Sequence, residues 1–185
     1  MGVQVSPLAP RELMKSIILV GFMGSGKTRI GKELSKRIGL SFFDSDRVIE
    51  RRFGKISDIF EKKGEQHFRE LEYNAIKEIL DLPEAVVLSV GGGAFCVEKT
   101  VQLMLQKGTL FFLDCPFEIC YTRIRRRIDR PLLKNGKGWL RELYKKRIEF
   151  YRKAKFRIDS SKSVNIALDA ILSKLDYETA DTLDR

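Results

Sequence analysis

The sequence predicts an α/β protein of three layers, α/β/α, built on a mostly parallel sheet. Two observations predict it. Five short apolar runs of strand length recur along the chain, each followed by an amphipathic stretch of helix length. The first run also passes through a glycine-rich turn into a helix, as parallel α/β sheets do at their carboxyl edge. Strands joined in this way need right-handed crossovers, so helices cover both faces of the sheet. The 185 residues, 43% hydrophobic and 32% charged, suit a single domain with a proper core.

Taken in order, residues 1–14 carry two prolines and no periodic pattern. They are expected to form a flexible extension, with Met14 resembling a natural first residue. "SIILVG" (16–21) is the first strand, followed by a helix from Lys27 to Arg37 that Gly39 ends. "LSFF" (40–43) is the second strand. A short helix over 46–52 and a helical turn in "ISDIFEKKG" (56–64) lead into a longer helix over 65–80. That helix gathers Phe68, Leu71, Ala75, Ile76 and Ile79 on one face. "AVVLSV" (85–90) is the third strand, with a helix near 97–106, and "TLFFLD" (109–114) is the fourth. Asp114 and Pro116 start a helix over 116–127. Another covers 138–152, "KFRID" (155–159) is a weak fifth strand, and the last helix spans 165–175. One domain is therefore expected over 15–176, with a fraying tail at 177–185. If the first three strands are parallel, Gly21, Asp44 and Gly91 emerge along one edge.

"GFMGSGKT" (21–28) satisfies GxxxxGK[ST] between a strand and a helix, the context that this phosphate-binding loop requires. Gly24, Ser25 and Gly26 let backbone N–H groups close around phosphate oxygens, and the helix N-terminus adds partial positive charge. Lys27 reaches the outer phosphates, and Thr28 offers a hydroxyl to Mg²⁺. The chain is expected to bind a nucleoside triphosphate. No DxxG follows a strand and no NKxD-type guanine reader is present, which disfavours a GTPase. An ATPase or a small-molecule kinase remains.

The formal net charge is +10. A solvated basic surface, a nucleic-acid ligand or a set of anionic substrates would each account for it. Part of the excess is local, in "TRIRRRIDRP" (122–131). No apolar run reaches the roughly 18 residues that span a bilayer. Cys96, Cys115 and Cys120 are odd in number and lack CxxC spacing. They argue against a disulfide framework or zinc site and for a reducing cytoplasm.

Several other charges need a reason. In "FFDSDRVIE" (42–50), Asp44 and Asp46 stand one residue apart, either as a helix cap and dipole partner or as ligands. Arg147 falls on the apolar stripe of its helix, with Leu143, Phe150 and Tyr151, and needs an anionic partner or a route to solvent. Arg69, beside Phe68, has Glu65 and Glu72 at helical spacing, which by itself reads as structural. "SVGGGAF" (89–95) sets Gly91, Gly92 and Gly93 after the third strand, as a flexible loop or as a close backbone approach to a ligand. "DRPLLKNGKG" (129–138) is an exposed basic turn, or a lid that carries Arg130 to a phosphate. His67 has no motif around it and reads as packing or surface.

Together these features resemble the shikimate kinase family: the phosphate loop, the DxD after the second strand, the FR early in a long helix, the GGG after the third strand and the RPL in a short lid. The match runs from about Lys15 to Asp176. It implies a nucleoside-monophosphate-kinase-like fold with a five-stranded parallel sheet, and transfer of the ATP γ-phosphoryl group to the 3-hydroxyl of shikimate, in chorismate and aromatic amino acid synthesis. By position it implies Asp46 on the shikimate hydroxyls and as proton acceptor, and Asp44 with Thr28 supporting Mg²⁺. Arg69 and Arg147 become a clamp on the shikimate carboxylate, which revises the structural reading of Arg69. Gly91, Gly92 and Gly93 become backbone donors to shikimate. Lys27 and Arg130 serve the γ-phosphate, and Arg123 lies beside adenine. The acceptor region is then about 44–80 and the lid about 128–138. A cytoplasmic monomer is expected, with no nucleic-acid or membrane partner. Two departures stand out: the lid is short, and "SSKSVN" (160–165) carries no sharp adenine signature. The rivals are another small-metabolite kinase of this fold, such as a gluconate kinase, and an RNA-binding module using the basic helix 116–127.

Overall fold

The structure, a computed structural model, describes residues 15–125 and 131–183. Five strands form one sheet: β1 (Ser16–Val20), β2 (Ser41–Asp44), β3 (Val86–Ser89), β4 (Gly108–Asp114) and β5 (Phe156–Asp159). Their order is β2-β3-β1-β4-β5 and every pairing is parallel. Ile18 of β1 lies between Leu88 of β3 and Leu110 of β4, so three apolar runs meet in register at the centre.

The strands are apolar throughout because both faces of the sheet are covered. Ile18, Val20, Leu88, Leu110 and Phe112 face one core. Ile17, Leu19, Val87, Phe111 and Leu113 face the other. The second core is closed by α1 (Lys27–Ile38) and α7 (Val164–Leu183), through Ile30, Leu34, Leu168 and Ile171. The first is closed by α3 (Ile56–Leu80), α4 (Glu98–Lys107), α5 (Phe117–Ile124) and α6 (Gly136–Tyr151). The three predicted layers are therefore present.

α2 (Ser45–Phe53) packs on α3 through a separate apolar cluster of Ile49, Ile59, Phe68 and Ala75. The expected turn and long helix are joined as α3, which breaks at Gly64 with φ 80° and ψ 173°. Two boundaries differ from expectation. α7 runs on to Leu183 instead of ending near 175, because no glycine or proline interrupts "VNIALDAILSKLDYETADTL". α6 begins at Gly136, directly after a short 3₁₀ turn at Pro131–Asn135. Arg130 and the start of the expected lid lie outside the described residues.

This order decides where a site can form. The chain leaves β1 leftward to β2 and β3 and later returns to β4 on the other side, so a crevice opens beyond the carboxyl end of β1. Ser89 pairs with both Leu19 and Asp44. The loops that follow β1, β2 and β3 thus leave the sheet side by side.

Candidate active site

The loop after β1 takes its shape from glycines at positive φ: 147° at Gly21, 81° at Gly24 and 102° at Gly26. At Gly24 the constraint is double, because a β-carbon would also stand 2.6 Å from the carbonyl oxygen of Cys120. Lys27 Nζ donates to Gly21 O at 2.7 Å and to Phe22 O at 3.1 Å, which holds the ammonium over its own loop. Ser25 Oγ is buried in this cradle without a hydrogen-bond partner among the described residues. Arg123, on α5, donates to Gly24 O at 3.2 Å and to the carbonyls of Ser160 and Ser161. One guanidinium therefore joins the phosphate loop to the segment after β5.

Asp44 uses its two oxygens separately. Its Oδ1 accepts the N–H of Arg47 at 3.4 Å and caps α2, while its Oδ2 accepts from Thr28 Oγ1 at 2.8 Å. Ser45, between the two acids, points elsewhere: its Oγ accepts the Gly91 N–H at 3.1 Å. Asp46, in the first turn of α2, faces the glycine loop.

The triple glycine is where the remaining candidates meet. A β-carbon on Gly91 would lie 2.5 Å from Asp46 Oδ1 and 2.7 Å from Glu72 Oε1. One on Gly92 would lie 3.2 Å from an Arg147 terminal nitrogen and 3.6 Å from Gly21 O. One on Gly93 would collide with the Arg69 guanidinium, at 2.4 Å from its nearest nitrogen. Three consecutive residues are thus each bare of side chain because a different charged group leans on them. Acids stand at one end of the loop and guanidinium groups at the other. Gly21 O, beside Gly92, also holds Lys27 Nζ, so this cluster adjoins the phosphate loop.

A family model described as shikimate kinase matches residues 23–176. The chain belongs to the shikimate kinase family. It is 40% identical to the shikimate kinase of Persephonella marina over 164 residues, 88% of this chain and 99% of that one. With the enzyme of Aquifex aeolicus it shares 37% over 161 residues, 86% and 95% of the two chains. The solved shikimate kinase from Acinetobacter baumannii, in complex with shikimate, superposes with a TM-score of 0.81 at 35% identity, covering 92% of this chain and 96% of that one. A gluconokinase from Sinorhizobium meliloti superposes with a TM-score of 0.65 at 17% identity, which speaks to the fold alone.

Shikimate kinases use ATP with Mg²⁺, and the residues here fit that pair. The Thr28 hydroxyl and Asp44 carboxylate form a two-oxygen hard-donor set beside the phosphate loop. Mg²⁺ takes one or two protein oxygens and completes its shell with phosphates and water. The orphaned Ser25 hydroxyl lies in the cradle that phosphate oxygens would enter.

The structure also alters the reading of individual residues. The Gly91 N–H, one of three expected backbone donors, is given to Ser45 Oγ. Arg69 makes both expected ion pairs, with Glu65 at 3.0 Å and Glu72 at 2.6 Å, while its guanidinium also abuts Gly93. Its ion pairs therefore leave that guanidinium against the glycine loop.

Glu72 was read only as the partner of Arg69, yet its side chain is 1% exposed and its Oε1 has no hydrogen-bond partner among the described residues. The signal was present in the sequence, since Glu72 follows Phe68 by one helical turn and lies within the apolar face. Burial pushes its carboxyl up to about 7, against the pull of Arg69 and Arg147 and with a push from Asp46. In an unfolded chain the group releases its proton near 4.5, so between that pH and about 7 the folded state binds more protons. Stability therefore falls across this window as pH rises. Melting temperatures measured at several pH values should show that decline, and Glu72→Gln should flatten it. Equal slopes in the two proteins would refute the assignment.

Proposed function

We propose that this chain transfers the γ-phosphoryl group of ATP to the 3-hydroxyl of shikimate, giving shikimate 3-phosphate and ADP. One observation carries the reading to the level of residues: Asp46, Arg147 and Arg69 each abut one of three successive glycines that adjoin the Lys27 loop. A hydroxylated carboxylic acid of limited reach matches that spacing of one acid and two guanidinium forks.

Arg69 and Arg147 grip the acceptor carboxylate, and Gly92 and Gly93 offer N–H groups to it. Asp46 orients the attacking hydroxyl and takes its proton. Lys27 neutralises charge on the outer phosphates, and the Arg130 of the lid serves the γ-phosphate. Thr28 and Asp44 would hold Mg²⁺, which would supply positive charge to offset what develops on the phosphates. Arg123 lies beside the base. Residues 44–80 form the acceptor region and 128–138 the lid. Such a transfer demands positioning and charge neutralisation more than a strong base, so an ordinary carboxylate suffices at Asp46.

The working unit proposed is a monomer. The three free thiols support a reducing cytoplasmic compartment. No helix among the described residues is long and apolar enough to cross a membrane.

A coupled ADP-release assay against shikimate, gluconate and nucleoside monophosphates tests the proposal. Turnover is expected with shikimate alone. Preference for gluconate would overturn the acceptor assignment. Tight, steeply salt-dependent RNA binding that survives Lys27→Ala would overturn the enzyme reading as a whole.

A further inference from the structure

Two buried hydroxyls hold the triple-glycine loop from opposite sides. Tyr151, at the end of α6, donates from its phenol to Gly92 O at 2.5 Å. Ser45, at the start of α2, accepts the Gly91 N–H. Both residues are 0% exposed. The ring of Tyr151 packs among aromatics, with centroids 6.4 Å from Phe95 and 5.5 Å from Phe112, a role that phenylalanine would fill equally. The hydroxyl is the part of the side chain that packing does not explain.

Its acceptor is informative. Gly91 O and Gly93 O accept from Ala94 N at 3.1 Å and Cys96 N at 3.0 Å as the 3₁₀ turn at Ala94–Cys96 begins. That turn passes over the carbonyl between them, and Tyr151 takes it. A peptide unit is planar, so fixing Gly92 O also fixes the direction of the Gly93 N–H. Tyr151 also follows Arg147 by one helical turn, and a β-carbon on Gly92 would lie 3.4 Å from the phenol oxygen and 3.2 Å from the Arg147 guanidinium. Burial pushes the phenol above its ordinary value, so it remains a donor at every working pH.

We infer that Tyr151 is a positioning residue for the phosphoryl acceptor: it locks the Gly92–Gly93 peptide and braces Arg147, while Ser45 anchors the other end of the loop. The inference rests on the acceptor site proposed above. It assigns the device to two helices that also carry acceptor groups, since Ser45 adjoins Asp46 and Tyr151 follows Arg147.

Tyr151→Phe keeps the ring and removes the lock. The shikimate KM is expected to rise about three- to tenfold, the effect of one lost hydrogen bond, with the ATP KM changed by less than about twofold. Residue-resolved amide exchange on the protein without substrates should show faster exchange at Gly93 in this variant, and at Gly91 in Ser45→Ala. A merely structural role predicts something else: a lower melting temperature with both KM values and the loop amides unchanged, and that result would overturn the inference. If the parent protein failed to phosphorylate shikimate, the acceptor assignment would fall instead. The exchange measurement would still judge the lock.

Discussion

Lys27→Ala should lower kcat/KM by about 10³-fold while leaving the melting temperature within a few degrees of the parent. The ammonium donates to two carbonyls of its own loop, Gly21 O and Phe22 O. The loop keeps its turn without it, through the Ser25 N–H on Phe22 O at 3.1 Å and the positive φ angles of its glycines. Losing two partly buried hydrogen bonds costs folding on the order of 1 kcal/mol each. Losing a charge aimed at phosphates that gain negative charge costs the transition state about 4 kcal/mol. The functional loss should therefore exceed the structural one by a wide margin. Steady-state kinetics beside a thermal melt will tell, and a variant that kept a tenth of the parent activity would contradict the role.

The second large effect is at Asp46. Asparagine preserves the shape of the side chain and removes its charge, so Asp46→Asn should reduce kcat by about 10²- to 10⁴-fold, the range for a positioned proton acceptor. The ATP KM should stay close to that of the parent, because the Thr28 hydroxyl is held by Asp44. The competing explanation is that Asp46 only complements the N-terminus of α2, where it lies in the first turn. A dipole contact of that kind contributes about 0.3–1 kcal/mol to stability and nothing to turnover. A melting temperature lowered by a few degrees with kcat intact would favour that explanation and remove Asp46 from the chemistry.

Much of this architecture is legible in the sequence, for physical reasons that can be named. "SIILVG" and "TLFFLD" read as strands because both faces of the sheet are buried, so no polar alternation interrupts them. The phosphate loop reads clearly because its glycines meet a strict backbone need. Arg147 stood out because a guanidinium on an apolar stripe requires an anion or an exit. The illegible parts depend on tertiary contacts. No spacing rule says that the Gly91 N–H is spent on Ser45, since α2 and the loop after β3 meet only in the folded chain. Tyr151 looked like one more residue of the stripe, because a sequence does not say which carbonyl its hydroxyl will find. Asp44 was ambiguous between cap and ligand because one of its oxygens caps α2 while the other reaches Thr28 in the phosphate loop. The end of α7 was misjudged because charged residues near a terminus suggest fraying, although nothing in them forbids a helix.

The small cluster of Ile49, Ile59, Phe68 and Ala75 has a bearing on how enzymes of this plan can diversify. It ties α2 to α3 independently of the sheet, so the acid of one and the guanidinium of the other travel as a cassette, whereas the triphosphate cradle hangs from β1. On the proposed reading, selection for a new acceptor would act on α2 and the start of α3 while the loop after β1 is left as it stands.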